Sequence, residues 1–192
     1  NLALQSFGRE GEADWILNSV PLAGWPVVWG KLLAAVIPTL FLMEALLIGT
    51  ALALGFSITI TMALGVGAIL LTLGASAIGL FYSINNCRFN PENPQQRISP
   101  SASMVMYLVN LFFMLFLALG LVYVFPPTEL IAVVKVIPSI SFKFALPELF
   151  IYLVYLLSRP FLWAPVFRIL LGVSTALAVW AAVFFGFMSF TV

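Results

Sequence analysis

The longest stretch without a charged side chain constrains this sequence most. Residues 45–87, 43 in all, contain no Asp, Glu, Lys or Arg, and shorter charge-free stretches follow at residues 98–128 and 169–192. About 20 apolar residues in a helix cross the hydrocarbon core of a bilayer, so the first stretch alone could hold nearly two crossings. The sequence therefore predicts an all-α protein, a polytopic bundle of transmembrane helices.

The composition excludes several other classes of protein. Hydrophobic residues make up 63% of the 192-residue chain and charged residues 8%, whereas soluble globular domains carry about 25% charge. The apolar residues occur in long runs rather than in alternating segments of ~10 residues, which excludes an outer-membrane β-barrel. The net charge of +1 comes without a basic patch, so we expect no nucleic-acid partner.

The absence of histidine limits the chemistry that this chain can perform. The chain has no His and one cysteine, Cys87. Helical membrane proteins that hold haem or copper normally use His, and a lone cysteine forms neither an internal disulfide nor a metal site. The sequence also has no Walker-type glycine loop and no His-based nucleophile pair. We therefore expect no enzyme activity in this chain, no cofactor and no metal.

The pattern divides the chain into two parts. Residues 1–31 mix charged residues with tryptophans and contain Pro21 and Pro26, which predicts a cytoplasmic interfacial segment that ends before the first span. Residues 32–192 form the predicted transmembrane domain. The chain begins at Asn1 without an initiator methionine, so we expect it to be a piece of a longer protein.

Four spans and two connecting regions are predicted within the transmembrane domain. The spans are residues 32–56, 58–84, 103–125 and 169–190. A polar loop at residues 85–101 is rich in Asn and Pro. Prolines and charged residues break residues 128–167 into short pieces, so we expect two interfacial or re-entrant helices there rather than a fifth span. The small residues of the second span predict close packing against a neighbouring helix.

Basic residues near the spans indicate the orientation of the chain. The segments at residues 1–31 and 85–101 each hold two basic residues, so this side should be cytoplasmic. With four spans, four basic residues then fall on the outer side, against the rule: Lys135, Lys143, Arg159 and Arg168. Either these residues are interfacial or the region crosses once more, and the sequence leaves both interpretations open.

Glu44 is the one ionisable residue predicted well inside a span. A carboxylate at that depth costs roughly 2.5–3.5 kcal/mol unless it is protonated, hydrated or paired. It could be a polar residue of a transport path, a proton-coupling carboxyl, or a protonated group that only hydrogen-bonds to a neighbouring helix. The sequence does not separate these interpretations.

A pattern near the start of the chain resembles a known family. Residues 7–22 contain Arg9-Glu10-Gly11 followed by a Trp-x-Leu-x-Ser-x-Pro pattern, and Gly30-Lys31 comes before the first predicted span. This order resembles the cytoplasmic segment of ABC exporter permeases, in which a similar turn, the same pattern and a Gly-Lys pair occur together. The Asn-Pro-Glu-Asn-Pro sequence at residues 90–94 is similar to a cytoplasmic loop of some bacterial members.

The resemblance implies a function and a set of partners. In that family the segment carries the coupling helix, which docks on the ATPase subunit. The resemblance implies that five residues couple the chain to the ATPase: Arg9, Glu10, Glu12, Asp14 and Trp15. The layout resembles the third to sixth spans of these six-span permeases.

The implied protein is the membrane subunit of an ATP-driven exporter in the cytoplasmic (inner) membrane of a prokaryote. Its partners would be the lipid bilayer, a separate ATP-binding cassette subunit and a second permease copy, and its mechanism would be alternating access. The alternative is a structural accessory or scaffold subunit of a larger membrane complex with no transport role. The sequence does not identify a substrate.

Overall fold

The computed structural model describes residues 24–86, 99–137 and 146–191. Over these ranges the chain forms α1 (Gly24–Leu54), α2 (Ile58–Asn85), α3 (Pro100–Val124), α4 (Thr128–Val136), α5 (Leu146–Ser158), a 3₁₀ turn (Arg159–Leu162) and α6 (Pro165–Ser189). The described part of the chain contains no β-strand. The predicted all-α fold is therefore confirmed.

Four of the helices are long and apolar enough to cross a membrane. Helices α1, α2, α3 and α6 have 31, 28, 25 and 25 residues, and each contains an apolar window of the required length. Helices α4 and α5, with 9 and 13 residues, are too short to cross. Over the described residues, the protein is a multi-pass helical membrane protein with four helices that could span a membrane and additional short helices, as the sequence predicts.

The first long helix begins earlier than predicted. Helix α1 begins at Gly24 instead of residue 32, so Trp25, Trp29 and Lys31 already belong to it. The prediction took Pro26 as a helix breaker, but Pro26 lies in the first turn, where the backbone N–H needs no intrahelical partner. The other span boundaries differ from the predicted ones by at most four residues.

A three-residue connection makes α1 and α2 antiparallel neighbours. Gly55 has φ +67°, a left-handed conformation that favours glycine. Ser57 then caps α2, because its side-chain oxygen accepts a hydrogen bond from the backbone N–H of Ile60 at 3.4 Å. The two helices pack extensively against each other.

The chain divides into two compact units, and helices α3 and α6 contribute to both. The first unit contains Asn1–Leu117 and Ala178–Val192. Its described core is apolar and includes Leu32, Leu80 and Phe184 in one cluster, with Ile78, Met106 and Phe113 in a second. The ring of Phe113 lies against Gly74, leaving no room there for a side chain. This contact confirms that part of the small-residue face on α2 packs closely against another helix.

The second unit contains Ala118–Leu177. Its core is the cluster of Tyr123, Val134 and Phe161, which come from α3, α4 and the 3₁₀ turn. The Tyr123 hydroxyl donates a hydrogen bond to the carbonyl oxygen of Leu157 at 2.7 Å. This bond holds the end of α5 against α3 by satisfying a carbonyl that the helix itself leaves free.

Candidate functional site

Glu44 lies in the second half of α1 and faces α2. A Cβ built on Gly65 would lie 3.3 Å from Oε2 of Glu44 and 3.7 Å from Oε1, so the missing side chain of Gly65 makes room for the carboxyl group. The Oε1 atom is buried and has no hydrogen-bond partner within the described residues. The side chain as a whole is half-buried.

A buried carboxyl oxygen without a hydrogen-bond partner is energetically unfavourable inside a membrane span. Glu44 forms no ion pair within the part of the chain that the structure describes. Buried polar atoms normally have a hydrogen-bond partner, and ionisable groups in spans commonly mark transport pathways. Oε1 of Glu44 is thus free to accept a hydrogen bond, and the carboxyl group lies where Gly65 has no side chain.

The threonines near this site are satisfied locally. The Thr72 hydroxyl lies 2.7 Å from the carbonyl oxygen of Ala68 and 3.3 Å from the sulfur of Met43, the residue before Glu44. Three further threonine hydroxyls bond to the carbonyl four residues earlier, at 2.7–3.1 Å: Thr39, Thr50 and Thr61. Such bonds satisfy the hydroxyl donors within their own helices.

Two polar side chains that the sequence interpretation passed over also have unpartnered atoms in the first unit. The Asn110 amide nitrogen donates to the carbonyl oxygen of Met106 at 3.0 Å, but its Oδ1 is buried without a partner among the described residues. The same is true of Nε1 of Trp180, whose ring stacks on Phe184 at 5.2 Å. A lone Asn in an apolar helix was the signal that could have revealed this position.

These two residues border the same apolar cluster. Asn110 lies between Met106 and Phe113, four residues after the first and three before the second, so all three share a helix face. Trp180 packs against the cluster that Met106 and Phe113 form with Ile78. The interior of the first unit therefore presents an acceptor and a donor beside one buried cluster.

The predicted coupling residues lie outside the described residues. They are Arg9, Glu10, Glu12, Asp14 and Trp15. Their assignment to the ATPase contact stays a prediction, and so does that of the loop at residues 90–94. Glu44 is the one predicted site residue that the structure places.

Over the described ranges, no group of three or more Cys, Asp or Glu side chains is arranged to hold a metal ion. Comparison with protein-family models, with curated proteins and with solved structures finds no match for this chain. Its function must therefore be inferred from its residues and their geometry.

Proposed function

We propose that this chain is the membrane subunit of an ATP-driven ABC exporter in the cytoplasmic membrane of a prokaryote. The observation that carries the proposal is the order of motifs in residues 7–31, which resembles the coupling segment of such permeases. The multi-pass helical architecture supports it, because a permease subunit consists of spanning helices. ATP hydrolysis belongs to a separate chain.

The continuity of α1 suggests how the coupling segment would act on the bundle. ATP binding closes the partner ATPase subunits, and the segment at residues 1–31 follows that motion. Helix α1 begins at Gly24 and continues past Glu44 as one helix, with Pro38 in its interior. A displacement at its start is thereby transmitted about 30 Å along the helix to the contact between Glu44 and Gly65. With a second permease copy, such motions open the transport path alternately to each side.

Within this mechanism Glu44 is a polar residue of the transport path. Because ATP supplies the driving force, the exporter does not need Glu44 to carry a proton. The side chain acts by offering a hydrogen bond to a polar group of the substrate, and its unpartnered Oε1 supports this role. Substrates would accordingly be apolar or amphipathic molecules that carry such a group.

The docking face can be tested by charge reversal at Glu10 and Glu12. Exposed ion pairs contribute ~0–1 kcal/mol each, so the two substitutions are made together as Glu10→Lys and Glu12→Lys. We expect affinity for the copurifying ATPase to fall about tenfold, with loss of substrate-stimulated ATP hydrolysis. The matched control is Glu129→Lys with Glu148→Lys, which reverses two charges on the short helices α4 and α5 and should leave both measurements unchanged.

The identity of the copurifying chains separates this proposal from its alternative. An exporter subunit should be accompanied by an ATP-binding cassette ATPase. A scaffold subunit would instead purify with other membrane-complex subunits and without an ATPase. ATPase binding and stimulation that survive the reversal at Glu10 and Glu12 would exclude docking through this face.

A further inference from the structure

The second compact unit carries three basic residues on neighbouring elements. Lys135 lies in the last turn of α4, Arg159 opens the 3₁₀ turn, and Arg168 is in the first turn of α6. A four-span topology places these charges on the outer side of the membrane, where the positive-inside rule does not predict them. Their surroundings in the fold suggest a reason for their presence.

Packing within this unit brings the three basic residues to the same side of the membrane. A Cβ built on Gly120 would lie 2.9 Å from the carbonyl oxygen of Gly172, and one on Gly172 would lie 2.5 Å from that of Gly120. Gly120 is about one turn from the end of α3, and Gly172 is about two turns from the start of α6. The end of α3 and the start of α6 therefore meet at one membrane face.

The apolar core of the unit packs α4 and the 3₁₀ turn against α3 and α6 near that face. Val134, next to Lys135, and Phe161, two residues after Arg159, form one cluster with Tyr123 of α3. Leu171, in the first part of α6, packs against the same cluster. Lys135, Arg159 and Arg168 thus each lie within three residues of a side chain that belongs to this cluster or packs against it.

Both arginines have N–H groups that could bind an anion. Nε of Arg168 is buried and has no hydrogen-bond partner within the described residues. The Arg159 guanidinium lies over the Tyr155 ring, 4.1 Å from its centroid, and donates one hydrogen bond to the Tyr155 hydroxyl. That bond uses one of its five N–H groups, and the others have no hydrogen-bond partner among the described residues.

The nearby carboxylates do not neutralise these cations. Glu129 and Glu148 are the acidic residues in the described part of the second unit, and neither forms an ion pair there. Hydrogen bonds from its own backbone N–H and from the Thr128 hydroxyl lower the pKa of Glu129. Glu129 is therefore ionised at neutral pH, yet it engages Thr128 rather than a basic residue.

The depth of Arg168 matches the level of lipid headgroups. Helix α6 has 25 residues and is thus about 37 Å long, several ångströms longer than the ~30 Å hydrocarbon core. Arg168 is the fourth residue of this helix and lies about 5 Å from its start. A guanidinium at that level can bind a phosphate through two parallel hydrogen bonds.

We propose that Arg159 and Arg168, with Lys135 at the edge, bind the phosphate of an anionic phospholipid headgroup. The lipid would occupy the outer end of the second unit. Its negative charge would balance the positive charge that Glu129 and Glu148 do not neutralise. This site does not depend on the exporter assignment, because the bilayer itself supplies the ligand. It also accounts for basic residues on a side where topology does not require them.

Native mass spectrometry of the purified full chain with added phosphatidylglycerol tests this proposal. A basic residue near an anionic lipid surface contributes about fivefold in affinity, so Arg159→Gln with Arg168→Gln should weaken binding about 25-fold. Each single variant should weaken it about fivefold, which keeps the test valid if the double variant misfolds. Conversion of both arginines to Lys keeps the charge but removes the paired hydrogen bonds, so it should weaken binding less than conversion of both to Gln. Lys31→Gln is the matched control, because it removes one cation from α1 in the other unit.

Two further titrations identify the source of the phosphate. Phosphatidylcholine should bind more weakly than phosphatidylglycerol and should depend less on the two arginines. Excess inorganic phosphate should not displace the bound lipid. Equal binding of both lipids, displacement by inorganic phosphate, or an equal loss of affinity in Lys31→Gln would each overturn the proposal.

Discussion

Glu44 depends on one glycine of the neighbouring helix for the space that its carboxyl group occupies. Gly65 lies opposite Glu44, and any side chain there would press on the carboxyl oxygens. Two residues later on the same helix, Gly67 has no atom within 4 Å of the position that a Cβ would take. These two glycines therefore form an internal comparison for the site.

Substitution of these glycines tests the placement of Glu44. Gly65→Leu should destabilise the protein by about 1–3 kcal/mol, because the new side chain must displace the carboxyl group. Gly67→Leu introduces the same residue into the same helix at a position where a Cβ meets no atom within 4 Å, and it should destabilise the protein less than Gly65→Leu. Thermal unfolding of the detergent-solubilised protein, followed by tryptophan fluorescence, measures the difference. Equal shifts in Tm for the two variants would show that Glu44 does not lie against Gly65.

Substitution of Glu44 tests whether hydrogen bonding or ionisation matters there. Gln keeps the size and a hydrogen-bonding oxygen, so Glu44→Gln should assemble and transport normally across the pH range. Glu44→Leu removes the hydrogen bond and should reduce transport about tenfold, with assembly intact. Reconstituted vesicles with the partner ATPase provide the assay. A Gln variant that loses activity or its pH dependence would instead identify Glu44 as a proton-coupling carboxyl.

At the level of elements, a reciprocal glycine contact sets the distance between α3 and α6 in the second unit. Gly120 and Gly172 each approach the other's carbonyl oxygen so closely that neither position has room for a Cβ. Close approach of this kind is common in membrane bundles, where small residues increase the van der Waals contact between helices. The contact also brings the end of α3 and the start of α6 to one membrane face.

Alanine substitutions test this crossing. Gly120→Ala and Gly172→Ala should each destabilise the protein by about 1–3 kcal/mol, even though Ala is the better helix former. Gly186→Ala on the same α6 meets no atom within 4 Å and should be neutral or stabilising. Chemical or thermal unfolding in detergent compares the three variants. If all three glycines tolerate Ala equally, the helices do not cross at this point.

The sequence predicted the helices better than their contacts. Long apolar runs identified four spans, and the breaks after residue 127 identified helices too short to cross, because hydrophobic length is a local property. The pairing of Gly120 with Gly172, or of Glu44 with Gly65, joins residues that are 52 and 21 positions apart. A local pattern shows that a small residue needs a close neighbour but does not show which one.

Pro26 shows why the start of α1 could not be predicted from the sequence. Proline in a helix interior removes a backbone hydrogen bond and kinks or breaks the helix, as a kink is possible at Pro38 of α1, but proline is tolerated in the first turn. Which case applies depends on where the helix begins, and the start of α1 at Gly24 was not visible in the sequence. The coupling residues were assigned from resemblance alone, and their place in the site is still a prediction.

At the scale of the whole molecule, the exporter proposal determines which side of the membrane each connection must occupy. Helices α1 and α2 form an antiparallel pair, so Gly24 and Asn85 lie at the same end of that pair. The exporter proposal requires this end to be cytoplasmic, since the ATPase is found there, and it requires the short helices α4 and α5 to be on the outer side.

Cysteine accessibility in a Cys87→Ser background tests this requirement most directly. Single cysteines at Glu12, Asn18 and Trp163 are exposed in turn to a membrane-impermeant thiol reagent, in intact cells and in inverted vesicles. We predict labelling at Glu12 and Asn18 from the cytoplasmic side and at Trp163, which is half exposed between the 3₁₀ turn and α6, from the outside. Labelling of Glu12 and Asn18 only from the outside would invert the topology and contradict a coupling role for this segment.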